Sequence, residues 1–141
     1  MNWNRGGNLL WLLGAAAVYA LCFMANLAGA WFEYNSPSIW NLLASLTYLA
    51  FWAAFTLCAR SRPGRMRAAR IVAALTLAGG VLGLIARTPN AWLFMLPALA
   101  LTPLTAVPMY GLRMFFTWNL LYTLCGLLGG LWLILLNRMR K

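Results

Sequence analysis

Basic residues gather at the ends of long apolar runs, and this distribution restricts the chain to a membrane fold. The 141 residues include eleven Lys and Arg, a single acidic residue (Glu33) and no histidine. Hydrophobic residues make up 64% of the chain and charged residues 9%, whereas a soluble domain has roughly 25% charged residues. We therefore predict an all-α integral membrane protein.

Four apolar runs are long enough to cross a bilayer, since about 20 residues span a hydrocarbon core of roughly 30 Å. They cover residues 9–31, 39–59, 68–87 and 114–136. The predicted fold is a four-helix bundle that forms one multi-pass domain over residues 1–141. The first run also has the order of a signal peptide, but we interpret it as the first span.

The segment 88–112 is uncharged and does not fit ordinary span geometry. Its four prolines are Pro89, Pro97, Pro103 and Pro108. A proline inside a helix removes a backbone donor and clashes with the preceding turn. We therefore expect a broken segment that either re-enters the membrane as a hairpin or lies in the interface.

Two Thr-Pro pairs in this segment, at 88–89 and 102–103, are typical of helix starts. Threonine is a common N-cap, and proline is favoured at the first helical position. The pairs predict two short helices, over 89–101 and 103–112.

The distribution of basic residues selects a topology, because Lys and Arg accumulate on the cytoplasmic side. With four spans, nine basic residues lie inside and two outside. The inner set is Arg5, Arg60, Arg62, Arg65, Arg67, Arg70, Arg138, Arg140 and Lys141. If 88–112 crosses as a fifth span, seven basic residues lie inside and four outside. Four spans are favoured, and five remain the alternative because 88–112 is apolar enough to cross.

The favoured topology places both termini and the basic loop 60–70 in the cytoplasm, as in a bacterial inner membrane. This loop is expected to contact anionic lipid headgroups. A nucleic-acid partner is not expected, because such proteins carry their charge on a solvated face. Here the charges flank hydrophobic spans.

The residue inventory argues against an enzyme. General acid–base catalysis usually needs His, Asp or Glu beside the reacting group, and the chain offers Glu33 alone. A serine nucleophile would lack its base. We therefore expect no catalytic residue, no cofactor and no metal site.

The charged residues expected on the outer side are the candidates for a ligand or ion site. Glu33 lies between the first two spans, and Arg87 and Arg113 bracket the Pro-rich segment. Glu33 is either solvated or paired with one of these arginines. The arginines either extend to headgroups or form an anion site with the helix N-termini at Pro89 and Pro103.

Two GxxxG motifs predict close helix packing in the third and fourth spans. One joins Gly79 to Gly83, and the other joins Gly126 to Gly130. Small residues at this spacing let helix backbones approach each other in lipid. The motifs fit packing within the chain or formation of a homo-oligomer.

Polar residues are rare within the spans, and four of them are candidate interior groups: Asn26, Asn119, Tyr122 and Thr123. The last three share a helical face at spacings of three and four. They are expected to form interhelical hydrogen bonds, or else to line a polar pore.

These observations favour a non-enzymatic multi-pass membrane protein, acting as an accessory component with a lipid or membrane-protein partner. The alternative is a small channel or transporter for an anion or an amphipathic solute that uses the segment 88–112. Transport requires this segment to reach the middle of the bilayer and to face a wet cavity lined by polar groups.

Overall fold

The computed structural model describes residues 5–31, 38–60, 62–85, 91–111 and 118–139, and every regular element in these ranges is helical. The helices are α1 (Arg5–Trp31), α2 (Ile39–Ala59), α3 (Pro63–Ile85), α4 (Ala91–Leu101), α5 (Ala106–Gly111) and α6 (Trp118–Arg138), with a 3₁₀ turn at Thr102–Leu104. Four of them, α1, α2, α3 and α6, are long and apolar enough to cross a membrane. The predicted all-α architecture with four long apolar helices is confirmed.

The basic loop is shorter than predicted, because α3 begins at Pro63 and not at residue 68. Proline suits the first helical position, where its missing N–H is not needed, and arginine is a good helix former. The Met66 N–H donates to the Arg62 carbonyl at 3.1 Å, within the first helical turn. Most of the loop arginines therefore project from a helix.

The start of α2 is fixed by Ser38, which is its N-cap. The Ser38 side chain accepts from the Asn41 N–H, and the Asn41 side chain accepts from the Ser38 N–H at 2.8 Å. This reciprocal pair satisfies two free backbone donors of the helix start. The Asn41 Nδ2 also donates to the Ala25 carbonyl at 2.5 Å, which ties the cap to α1.

Helices α1 and α2 pack side by side in opposite directions. The Trp11 and Phe55 rings meet edge to face, with their centres 5.5 Å apart, near the end of the bundle where α2 ends and α3 begins. We call this end the basic end. Toward the other end, the Cys22 Sγ donates to the Ala44 carbonyl at 3.1 Å.

Helices α3 and α6 form the most extensive helix pair, and glycines allow it. A Cβ atom at Gly80 would lie 2.5 Å from the Gly126 nitrogen, so the two backbones are in contact there. Near the start of α6, Tyr122 covers Gly83, and further along Gly129 faces Leu77. The two helices are therefore antiparallel.

This antiparallel pair bears on the expected number of spans. The end of α3 and the start of α6 lie at the same end of the bundle, away from the basic end. The segment 91–111 lies between these two helices in the chain, and its position is consistent with four candidate spans. The segment also enters the bundle, because it contacts Tyr48 and Leu49 near the middle of α2.

Two clusters of buried side chains hold the helices together. The cluster at the basic end joins α2, α3 and α6 through Trp52, Phe55, Ala69 and Leu136. There the Trp132 Nε1 donates to the Thr56 Oγ1 at 2.9 Å, which gives α2 and α6 a polar link. The second cluster surrounds the segment 91–111 and is described below.

The outer surface of the bundle is apolar. Leu10, Leu57 and Leu127 are 72%, 71% and 60% exposed. Water would oppose contiguous apolar exposure of this kind, whereas lipid chains accept it. The surface is consistent with contact to a bilayer along all four long helices.

Replacing Gly80 with alanine should destabilise the protein by about 1–3 kcal/mol, because the new methyl group collides with the α6 backbone. Thermal or denaturant unfolding in detergent, followed by circular dichroism, measures the change.

Gly126→Ala is the matched control, since no atom lies within 4 Å of a Cβ built there. Alanine has the better helix propensity by about 1 kcal/mol, so this variant should be neutral or slightly more stable. Equal losses in both variants would contradict the backbone contact.

Candidate functional site

Among the residues whose burial is described, the break between α4 and α5 is deeply enclosed; we call its residues 102–105 the hairpin tip. Thr102, Pro103 and Thr105 are less than 2% exposed. All four long helices contribute to its surroundings or to those of the adjoining turn of α4. The contacting residues are Tyr19 of α1, Ser45, Tyr48 and Leu49 of α2, Gly79 of α3, and Leu121, Tyr122 and Cys125 of α6.

Pro103 causes the break. In a continuous helix, the N–H of residue 103 would donate to the Leu99 carbonyl, but proline has no N–H. Tyr19 supplies a donor from α1 instead, with its hydroxyl 3.4 Å from the Leu99 oxygen and 3.5 Å from the Ala100 oxygen. These bonds are long, but they serve carbonyls that would otherwise lack a partner in an apolar setting.

Ser45 provides the second donor. Its hydroxyl donates to the Pro103 carbonyl at 2.7 Å, and Ser45 is fully buried. A buried carbonyl without a donor costs roughly 1–3 kcal/mol. This bond therefore joins α2 directly to the hairpin tip.

The prediction that Thr102 caps a helix starting at Pro103 is wrong. The Thr102 hydroxyl turns back to the Ala98 carbonyl at 2.9 Å, four residues earlier in its own helix. Thr102–Leu104 then forms a 3₁₀ turn, and the next α-helix begins at Ala106. The expected break after residue 101 is confirmed.

Asn26 is a buried amide of α1, one helical turn after Cys22. It is 1% exposed, and its Nδ2 donates to the Cys22 carbonyl at 2.8 Å. Its Oδ1 is buried without a hydrogen-bond partner within the described ranges. A buried amide oxygen of this kind is an acceptor for a water or a polar ligand.

The other predicted interior groups differ in their surroundings. Tyr122 is fully buried and lies against Gly83. Thr123 is exposed, and its hydroxyl donates to the Asn119 carbonyl of its own helix at 2.8 Å. The Thr123 hydroxyl thus supports the α6 backbone in place of the expected interhelical bond.

The predicted packing glycines face different neighbours. A Cβ at Gly79 would lie 3.6 Å from the Leu101 side chain, so Gly79 faces the hairpin, whereas Gly83 faces Tyr122 of α6. A Cβ at Gly126 would meet nothing within 4 Å, and one at Gly130 would be 4.0 Å from Leu77. Gly80 and Gly129, which the motif analysis did not single out, make the closest backbone approaches.

Glu33, Arg87 and Arg113 lie outside the described residues. Their ion pair and the anion site between the two arginines remain predictions.

Arg70 is an unexpected, partly buried cation. The sequence assigns it to the basic loop, but it lies on α3, with its Nε and Nη2 buried and without a hydrogen-bond partner in the part of the chain described. A guanidinium has five N–H donors and no acceptor. Such a group is suited to an anion or to water.

The basic end contains a cavity of about 220 Å³ between α1, α2 and α3. Its lining residues are Trp11, Leu12, Phe55, Gly64, Arg65, Arg67, Ala68 and Ile71. The Arg65 guanidinium carbon lies 5.3 Å from the centre of the Trp11 ring, within the range of a cation–π contact. The cavity thus combines apolar walls with two arginines, of which Arg65 is oriented by the Trp11 ring.

Within the described ranges, no three His, Cys, Asp or Glu side chains are close enough together to hold a metal ion. The cysteines are unpaired thiols, with Cys22 and Cys125 buried and Cys58 exposed.

The sequence interpretation missed Tyr19 and Ser45. A signal existed, because each internal proline leaves a carbonyl that needs a donor, and hydroxyl groups in apolar spans are scarce. Nothing in the local sequence, however, identifies which of these hydroxyls reaches a segment 58 or 80 positions away.

Ser45→Ala should lower the free energy of unfolding by about 1 kcal/mol, because the Pro103 carbonyl loses its donor inside the bundle. It should also speed amide hydrogen exchange at residues 104–106, which unfolding assays in detergent alone would not reveal.

Thr47→Ala is the control on the same helix, since the exposed Thr47 hydroxyl donates only to the Leu43 carbonyl of α2. Exchange at 104–106 should stay unchanged in this variant. If Ser45→Ala leaves exchange unchanged as well, the bond does not secure the hairpin tip.

No protein-family model matches the chain, and neither a curated protein nor a solved structure matches it.

Proposed function

We propose that the protein is a non-enzymatic multi-pass membrane component that acts by binding other molecules of the bilayer. Its partners are lipids together with a membrane protein or a second copy of the chain. In this proposal both termini and the turn 60–62 face the cytoplasm of a bacterial inner membrane.

The observation that carries the proposal is the closed hairpin tip. Ser45, Thr102, Pro103 and Thr105 are all less than 2% exposed, and the three hydroxyls donate to backbone carbonyls. A packed, internally bonded segment stabilises the positions of the helices around it. It offers no wet surface to a passing solute.

The rest of the chain is suited to binding within the membrane. The arginines at the basic end complement anionic headgroups, each with a contribution of about 1 kcal/mol near a charged surface. The exposed faces of the long helices offer apolar surface to lipid or to a partner helix.

The orientation has a direct test. A fluorescent protein fused after Lys141 should fluoresce, and alkaline phosphatase fused there should be inactive, because both reporters would lie in the cytoplasm. Phosphatase inserted at 33–37 should be active. An active phosphatase after Lys141 would contradict the orientation and favour five spans.

The binding role is tested by mild-detergent purification of tagged protein, followed by mass and composition analysis. We expect a discrete complex with a membrane protein or a homo-oligomer. A protein recovered only as a monomer, with the same recovery from membranes of any lipid composition, would contradict the proposal.

A small transporter for an anion or an amphipathic solute is the second candidate. Two observations favour it. The helix break lies well inside the bundle, as in discontinuous transporter helices, and Arg70 and Asn26 retain buried polar atoms without hydrogen-bond partners in the described ranges. Opening of the hairpin tip would be needed to connect these groups to water.

The two candidates differ in a flux measurement. Proteoliposomes carrying the wild-type protein should release anions no faster than empty vesicles, because the hairpin tip is closed. Flux above this background that falls in Arg87→Ala, Arg113→Ala or Arg70→Ala would establish transport instead. Thr47→Ala serves as the control, since its side chain lies on the outer surface.

A further inference from the structure

The cavity at the basic end brings two arginines together with an apolar wall. We infer that it is a binding site for one anionic glycerophospholipid of the adjacent leaflet. The headgroup phosphate would contact Arg65 and Arg67, and the start of an acyl chain would follow Trp11, Leu12 and Ile71. This goes beyond the headgroup contact proposed above and does not depend on what the hairpin does.

The charge at the cavity favours an anionic ligand. Arg65 and Arg67 both line it, and the chain has eleven basic side chains and one acidic one. A phosphate diester carries a negative charge and offers oxygens suited to a guanidinium fork.

A cation–π contact orients Arg65, one of the two arginines of the cavity. Arg65 lies over the Trp11 ring, and Trp11 is itself packed edge to face on Phe55. A guanidinium that is already oriented by an aromatic face loses less freedom when it binds a ligand. The cavity also adjoins the first turn of α3, where the helix dipole adds positive character.

The volume and the walls identify the ligand as part of an amphiphile. A cavity of about 220 Å³ is smaller than the roughly 300–1,000 Å³ of pockets that enclose whole small molecules. The side chains of Trp11, Leu12, Phe55 and Ile71 make most of the wall apolar. A lipid meets both conditions, because the start of an acyl chain fits the apolar wall, the phosphate contacts the arginines, and the rest of the chains extend along the exposed faces of α1 and α3.

The test is lipid retention. Protein is reconstituted in bilayers of phosphatidylglycerol and phosphatidylcholine in equal parts, extracted in mild detergent and examined by native mass spectrometry. Wild-type protein should retain one phosphatidylglycerol in preference to phosphatidylcholine. Arg65→Ala and Arg67→Ala should each weaken retention roughly five- to tenfold.

Two further variants separate the cavity from its charge. Ala68→Phe fills the cavity and keeps every arginine, so it should also abolish retention, whereas Ala74→Phe on the exposed face of α3 should not. Arg62→Ala and Arg138→Ala remove exposed charges at the same end without touching the cavity lining, and both should retain the lipid.

Three results would overturn the inference. Equal losses in all four arginine variants would mean diffuse attraction to the membrane surface. Retention by Ala68→Phe would mean that the cavity is not used. The site would bind a free anion, with no lipid component, if inorganic phosphate alone displaced the lipid and Trp11→Ala left lipid retention unchanged.

Discussion

The structure depends on one constraint: a helix that breaks inside a membrane must bond its freed backbone groups within the protein. Lipid offers no donor for a carbonyl, and an unsatisfied one costs several kcal/mol. Pro103 frees the Leu99 carbonyl, and Tyr19 and Ser45 bring hydroxyls to that region from two other helices. The four long helices surround the break for this reason, and their mutual positions follow from the need to enclose it.

Glycine makes the enclosure possible. Gly80 and Gly129 bring the α3 and α6 backbones into contact, while Gly79 on the adjacent face of α3 leaves space for Leu101 of the hairpin. One short glycine-rich stretch thus serves two interfaces. Bulkier residues there would separate α3 from α6 or displace the hairpin, and the carbonyls at the break would lose their cover. The packing of α3 against α6 and the enclosure of the carbonyls at the break therefore depend on the same stretch of α3.

The two ends of the bundle have different chemistry. The hairpin tip is buried, and the hydroxyls of Ser45, Thr102 and Thr105 donate to backbone carbonyls there. The basic end has positive charge, an aromatic wall and an open cavity. The arginines and the apolar wall of this cavity are the basis of the proposed lipid site.

Composition, run length and proline chemistry determined the class, the four long apolar helices and the place of the break. The Ser38 cap is also a local feature, since its partner Asn41 is three residues away. Only the tertiary structure decided which hydroxyls serve the broken helix, which glycines touch another backbone, and that Trp11 and Arg65 share a cavity wall. These pairs lie far apart in the chain, and no local periodicity encodes which residues meet when the helices pack.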